Sequence, residues 1–535
     1  MSVELSRLSD FEADTPPPDG LPYDLVGVGL GPFNLSLAAL ADGVPALRTV
    51  FLDAKPTFDW HPGLMIEGAR MQVPFLADLV SLVDPTSPWS FLAYLRERQR
   101  LFPFYFAEQW HLTRREYEDY CLWAAEGLPN CRFDSPVKAV RWNGERRLFE
   151  VEVPGREPCL ARHVVLGLGT EPVVPIAFAG LLGDGAPVLH SEDYLTSPRS
   201  PRALAGATDI TVVGSGQSGA EVFLDLLRRR GAAAGPRLRW ITRSAALAPM
   251  EYSKLGLEHF TPDYTRFFHG LSEPVRDALV PSQWQLYKAA SAETLAAVHD
   301  ALYERTIGAG GDAGVEIVPG TEVRSAGRGP CGGLELRCGH GLTGAEYALR
   351  TDLVVLATGY APRRPALLDP MHALIDWDEQ ERYRVGPDYR VGLRPDVTGG
   401  LFVQNAELHT HGVGTPDLGL GAHRAAVILN AVSAEILGRT VHQLPRTTAW
   451  TTFGRPASAT DLVPEQRGEW SDGSGRAGRS SRADRADQAD RADHADRAGR
   501  SDLAGLSGTP TPSVASVQSA ISAIPATHSV PASLG

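Results

Sequence analysis

The run GSGQSG, Gly214–Gly219, follows a strand-like stretch, Asp209–Val213, and opens a helical pattern, AEVFLDLLRRR. It satisfies G-x-G-x-x-G at Gly214, Gly216 and Gly219, with Gln217 and Ser218 between the last two. In a strand–turn–helix the first glycine permits the tight turn and the second lets the backbone approach a pyrophosphate. The helix N-terminus then supplies N–H groups and positive partial charge. A second pattern, GVGLGPFN, stands far earlier, at Gly27–Asn34. Gly27 and Gly29 take the turn and approach positions, and Pro32 stands where glycine or alanine is usual. Proline is accepted in a first helical turn because its missing N–H has no helical partner there. The following TVFLDA contains Asp53, 26 residues after Gly27, where a ribose-binding carboxylate belongs. An ordinary glycine turn before a core helix is the plainer alternative for this first loop. After the second loop, the next strand, LRWIT, leads into Arg243 and Ser244 rather than an acid. A guanidinium fork suits the 2′-phosphate of NADP; a solvated surface arginine is the alternative. Two such loops, with LVVLATGY at 353–360, point to a flavin enzyme reduced by a nicotinamide cofactor, FAD at the first and NADPH at the second. No C-x-x-C or C-x4-C supports disulfide reduction, so oxygen is the natural electron acceptor.

These loops need a scaffold, and the chain offers an α/β one. Strands are predicted at Tyr23–Val28, Arg48–Leu52, Val164–Leu168 and Leu353–Ala357, and helices at Pro32–Ala41, Ser87–Arg100 and Arg114–Ala125. VKAVRW and LFEVEV flank Asn143-Gly144 as a hairpin-like connection. The pattern predicts two Rossmann-like dinucleotide-binding domains, the second inserted into the first, with a small, mostly helical substrate region. The expected divisions are a flexible leader (1–20), an FAD domain in two parts (21–205 and 351–454), an NADPH domain (206–350) and a tail (455–535). In the tail Arg-Ala-Asp and its variants recur from Arg482 to Asp496; a period of three holds no apolar stripe, so disorder is expected.

Composition bounds the rest. The 535 residues are 43% hydrophobic and 21% charged, as in a globular chain with sizeable cores. A net charge of -13 argues against nucleic acid or an anionic membrane as partner. The N-terminus lacks the basic and apolar regions of a signal peptide, and no run approaches 18 apolar residues, so no membrane span is expected. Five cysteines at irregular spacing read as reduced thiols of a cytoplasmic protein. His409 and His411 have no carboxylate or cysteine pattern beside them, so no metal is expected.

Four segments carry a resemblance: WHPGLMIEGARMQVPFLADLVSLVDPTSPWSFLAYL (60–95), RREYEDYCLWAA (114–125), VVGSGQSGAEVF (212–223) and QNAELHTHG (404–412). Together they resemble the flavin-dependent N-hydroxylating monooxygenases of siderophore biosynthesis, the lysine N6-/ornithine N5-hydroxylases, from about Tyr23 to Leu437. The resemblance implies that NADPH reduces FAD, O2 adds to the flavin, and a terminal amine takes up the distal oxygen. The product is later acylated to an iron-chelating hydroxamate. It further implies that Trp60, His61 and Gln72 line the flavin ring, that Asn405 stands near the reaction centre, and that the backbone around Leu418–Leu420 covers the flavin. Gln217 and Ser218 match NADPH contacts, and family members commonly self-associate. Gln72 and Asn405 are the expected catalytic pair, both also touching substrate. The plainer alternatives are core packing for Trp60 and a satisfied loop carbonyl for His61. VLHSEDY keeps His190 and Tyr194 of the Baeyer–Villiger and sulfide-oxidising pattern but lacks its upstream phenylalanine and glycine spacing.

One departure bears on substrate. The amino-acid hydroxylases typically read FLKDL, their lysine gripping the α-carboxylate; here FLADL places Ala77 there. Burying an unpaired carboxylate is costly. Thr261-Pro262 replaces the Asn-Pro of ornithine enzymes, and Gly419 stands near where they have serine. These positions, and EYSKLGLEHFTPDYTRFFHGL (251–271), resemble the diamine branch of desferrioxamine-type pathways. The expected substrate is cadaverine ahead of putrescine, with L-lysine and L-ornithine as alternatives. A flavin-binding redox protein without hydroxylase activity is a remote one. Ala77 and Thr261 join the expected substrate set, and Glu251, Glu258 and Asp263 are candidate partners for the distal ammonium.

Overall fold

The computed structural model describes residues 21–454 apart from 184, 198–206, 230–236, 308–313 and 330–331. The leader and the Arg-Ala-Asp tail, with the disorder expected of it, lie outside the described residues. The first strand, Tyr23–Val28, is buried along almost its whole length and lies parallel between Thr49–Leu52 and Cys159–Leu166. Such near-continuous apolar runs are what a parallel sheet covered on both faces requires. Cys131–Arg132 extends this seven-stranded sheet on one side. On the other, the Ala139–Asn143 and Leu148–Glu152 hairpin pairs with the start of Cys159–Leu166, and Gly400–Val403 lies parallel to its end.

The second sheet has five strands, all parallel, in the order Val188–His190, Leu353–Leu356, Asp209–Val213, Arg237–Ile241, Val315–Val318. The insertion is therefore wider than the expected 206–350. Val188–His190 and Leu353–Leu356 both belong to the second sheet, although their short apolar runs would read the same in either. A three-stranded antiparallel sheet, Thr321–Arg328, Leu334–His340 and Glu346–Thr351, follows within the insertion. The helices Pro262–His269, Glu273–Ser282 and Ala292–Thr306 make up the helical region.

Helix starts follow local chemistry. Pro32 occupies the first turn of Pro32–Asp42, a helix buried on nearly every side. Thr113 caps Arg114–Gly127 by accepting the Glu116 N–H at 3.2 Å. The helix expected at Ser87–Arg100 is shorter, Phe91–Glu97, because the Ser90 side chain caps it, accepting from Ala93 N–H. Leu418–Leu437 is apolar enough to cross a membrane by composition, with a mean hydropathy of 1.2. Its helical part, Gly421–Leu437, packs on Pro32–Asp42, with Ile428, Leu429 and Val432 fully buried in the core they share.

Candidate active site

At the first loop the glycines are dictated by space. A Cβ on Gly27 would collide with the Phe51 ring, and one on Gly29, at φ +88°, with the Gly167 carbonyl. Nothing lies within 4 Å of where a Gly31 Cβ would be, so the N-terminus of the Pro32 helix faces open space. Asp53 is turned onto this loop: its carboxylate accepts the Leu30 N–H at 2.7 Å and that of Lys55 at 2.8 Å. Asn34, expected among the cofactor contacts, is instead fully buried. Its amide donates to the carbonyl of Gly29 (2.7 Å) and its oxygen accepts from Gln404 (2.6 Å). It shapes the loop from behind.

The second loop is equally tight. A Cβ on Gly214, at φ +125°, would collide with the Ala357 carbonyl, and one on Gly219 with the Gly214 carbonyl. Ser218 stands in the first turn of the Gln217–Arg229 helix. Arg243 is exposed beyond the neighbouring strand, where the sequence put it. The structure adds Lys288, whose carbonyl lies 3.1 Å from a Cβ built on Gly216. Burial, with Arg243 nearby, pushes the Lys288 ammonium's pKa down.

Between the loops the chain brings Gln72 and Gln217 together. Gln72, on the Arg70–Pro74 strand, donates from Nε2 to Gln217 Oε1 at 3.3 Å and lies 3.1 Å from Met250 Sδ. Tyr252 donates its hydroxyl to the Gln72 carbonyl at 3.3 Å. Gln217 in turn donates to Glu221 (2.8 Å) and Thr294 (2.9 Å) and accepts from Ser291 N–H (2.7 Å). Glu221 is paired at 2.8 Å with Arg114, which starts the Arg114–Gly127 helix. Burial raises the Glu221 pKa and Arg114 opposes that. Trp60 packs half-buried against Tyr117, ring centroids 5.2 Å apart. His61 adopts φ 51°, its ring 6.2 Å from that of Tyr360. His61 is exposed, with Arg114 and Lys55 near enough to disfavour its charged form.

Asn405 follows the Gly400–Val403 strand in a left-handed conformation, φ 67°. Its neighbours fix it: Gln404 is tied to Asn34, and Glu407 accepts the Ala406 N–H at 2.8 Å. Glu407 and Arg424 form a fully buried ion pair at 3.0 Å, the guanidinium 4.5 Å from the Phe33 ring centroid. His409 and His411 are held by the Tyr383 carbonyl and the Thr410 hydroxyl.

The corner where the sequence reading expected substrate gathers Ala77, Leu418 and Gly419, and adds Asp417, a residue that reading passed over inside PDLGL. A Cβ built on Gly419 would stand 3.9 Å from Ala77 Cβ and 2.7 Å from Asp417 Oδ1. That oxygen accepts the Gly419 N–H at 2.7 Å. Thr261 does not join this corner through its hydroxyl, which donates to the Glu258 carbonyl (2.6 Å) and caps Pro262–His269 by accepting from Tyr264 N–H. The three candidate acids are also engaged elsewhere. Glu251 accepts from Ser253 N–H, Glu258 from the N–H groups of Trp450 and Thr451, and Asp263 from Thr448 and Ala449.

The residues fit two nucleotides: at both loops only glycine lets strand, turn and helix pack this closely, as a dinucleotide-binding turn requires, and the position beside Gly31 is left open. The profile of the L-lysine 6-monooxygenase/L-ornithine 5-monooxygenase family matches residues 21–362. A putrescine N-hydroxylase of Shewanella oneidensis is 38% identical over 452 residues, covering 82% of this chain and 85% of its own. The FAD-bound cadaverine monooxygenase DfoA of the desferrioxamine pathway of Erwinia amylovora superposes with a TM-score of 0.76. It is 38% identical, covering 82% of this chain and 99% of its own. An ornithine N-hydroxylase of Kutzneria, solved with reduced FAD, NADP+ and L-ornithine, gives a TM-score of 0.71 at 30% identity, covering 78% and 100%.

Proposed function

The chain belongs to the L-lysine 6-monooxygenase/L-ornithine 5-monooxygenase family of N-hydroxylating, FAD- and NADPH-dependent enzymes, and from that premise we propose that its substrate is a diamine, cadaverine ahead of putrescine, hydroxylated for a hydroxamate siderophore. The observation that carries this reading is the corner at residue 77. An alanine methyl, 6% exposed, stands where a lysine would receive an amino acid's carboxylate, and a carboxylate, Asp417, stands close by. An α-carboxylate brought there meets like charge, which costs more the drier the site. The diamine substrate of the Erwinia relative and that of the Shewanella relative agree with this choice.

The cofactors, when bound, supply the reducing equivalents and the activated oxygen. Gly27, Gly29, Pro32 and Asp53 would hold the FAD; Gly214, Gly216, Ser218 and Gly219 would hold the NADPH, and Arg243 with Lys288 would supply positive charge for its 2′-phosphate. Trp60 and His61 border the flavin ring, and Leu418 covers it. Gln72 and Asn405, as candidate catalytic residues, orient the reacting nitrogen. That nitrogen must arrive unprotonated; an alkylamine's reference pKa is about 10.4, and apolar walls favour the neutral form.

The test is hydroxylamine product formed from cadaverine, putrescine, L-lysine and L-ornithine under identical conditions. NADPH loss is a poor readout, because peroxide release also consumes it. Cadaverine is expected to lead L-lysine at least tenfold in kcat/KM, about 1.4 kcal/mol. A lead for L-lysine would overturn the reading of Ala77.

A further inference from the structure

Resting on the diamine reading, we propose that Asp417 is the counter-ion of the substrate's distal ammonium, the end that is not hydroxylated. A diamine differs from a simple alkylamine only in this second cation, so selectivity for it requires an anion at the far end of the pocket. The Ala77 corner supplies one. Asp417 Oδ1 sits 2.7 Å from the position a Gly419 Cβ would take, and that position is 3.9 Å from Ala77 Cβ. Where the amino-acid hydroxylases' FLKDL pattern places a cation, this chain places a methyl beside a carboxylate, so the charge of the corner is reversed.

Asp78 and the acids that the sequence offered are engaged elsewhere. Asp78, next in sequence to Ala77, accepts from the N–H groups of Val80, Ser81 and Phe91 and from the Ser81 hydroxyl, at 2.6–3.0 Å. Glu251 is bound to its own loop, Glu258 and Asp263 to the segment 448–451, and Glu407 to Arg424. The hydrogen bonds of Asp417 come from the N–H groups of its own turn, Gly419 and Leu420, with Arg424 acting only at a distance. A carboxylate offers about four lone-pair sites, so acceptor capacity is left for an ammonium. Burial pushes the Asp417 pKa up to about 6. Tyr252, whose pKa burial raises with Glu293 and Asp417 adding to it, bonds the Gln72 backbone.

The experiment compares cadaverine with n-pentylamine, which keeps the reacting amine and lacks the distal one, in the wild-type holoenzyme and in Asp417→Asn. Asparagine keeps an oxygen for the cap on Gly419 N–H, and FAD content with the rate of flavin reduction by NADPH reports an intact fold. Asp417→Ser, also a capping residue, serves if the first variant loses FAD. Wild type is expected to favour cadaverine over n-pentylamine by tenfold or more in kcat/KM. The variant should lose that preference through a higher KM for cadaverine, with n-pentylamine unchanged, and Asp417→Glu should restore part of it. A variant that keeps the wild-type preference overturns the assignment and leaves the diamine reading standing. If wild type itself makes more product from L-lysine than from cadaverine, the diamine reading fails and this assignment with it.

Discussion

Alanine at position 77 is a choice about charge, and restoring the charge should reverse its effect. A lysine introduced there would grow from a Cβ 3.9 Å from the Gly419 Cβ position, within reach of Asp417. The new ammonium would neutralise Asp417 and take the place of the substrate's own cation. Ala77→Lys is therefore expected to lower kcat/KM for cadaverine at least tenfold, about 1.4 kcal/mol, and to raise L-lysine relative to cadaverine. The check is hydroxylamine formed from both substrates in competition. Unchanged cadaverine turnover would remove residue 77 from the far end of the pocket. At this scale the sequence was readable where a residue's role lies in its own type and spacing, as with Gly29 and Gly214. It misled where a side chain serves its own loop. The Thr261 hydroxyl caps a helix and Glu251 holds the Ser253 N–H, short-range bonds with no pattern distinct from that of a ligand contact, whereas Glu258 and Asp263 hold the distant backbone of residues 448–451, which only the fold shows.

The elements were legible through their periodicity, and the strand–turn–helix at each loop lies where the pattern put it. What could not be read was partnership across the chain. Val188–His190 joined the second sheet through Leu353–Leu356, a pairing over more than 150 residues. Glu407 and Arg424 lie on different elements, and only the fold shows that they form one buried pair with Phe33 against the guanidinium. That pair fastens the segment after Asn405 to the helix Gly421–Leu437 and to the first glycine loop. Removing one partner strands a charge with 0–1% exposure, so Arg424→Met should destabilise the fold by about 3–5 kcal/mol. Most of the cost is the uncompensated carboxylate, since burial already raises the Glu407 pKa against the pull of Arg424. The double variant Glu407→Leu with Arg424→Met should then recover much of the loss. Urea unfolding of the two single variants and the double variant, with FAD content alongside, measures the coupling. Simple additivity of the single effects would show that the pair does not act as a unit.

At the scale of the molecule, hydride transfer demands that the two nucleotide-binding parts hold a set orientation, yet the second is an insertion joined to the first by a few connections. One set of contacts that can help fix the angle runs through a partly buried line: Leu64 carbonyl to Arg114, Arg114 to Glu221, Glu221 to Gln217, and Gln217 to Gln72. Arg114 belongs to the part built on the first sheet, and Glu221 and Gln217 to the helix that opens at the second glycine loop. Glu221 has 5% of its side chain exposed and Arg114 13%, so the pair is shielded from salt and solvent. Glu221→Gln keeps the shape and an oxygen for Gln217 but leaves the Arg114 cation uncompensated at the junction. The first glycine loop is not touched, so FAD content should be unchanged. The nicotinamide, however, would no longer be presented at a fixed distance, and a misplacement of about 1 Å can cost about 100-fold in rate. Anaerobic stopped-flow at saturating NADPH should therefore show flavin reduction slowed by about ten- to a hundredfold. A reduction rate equal to that of wild type would mean that the orientation is set elsewhere, and that the Arg114–Glu221 pair is a packing feature of the junction alone.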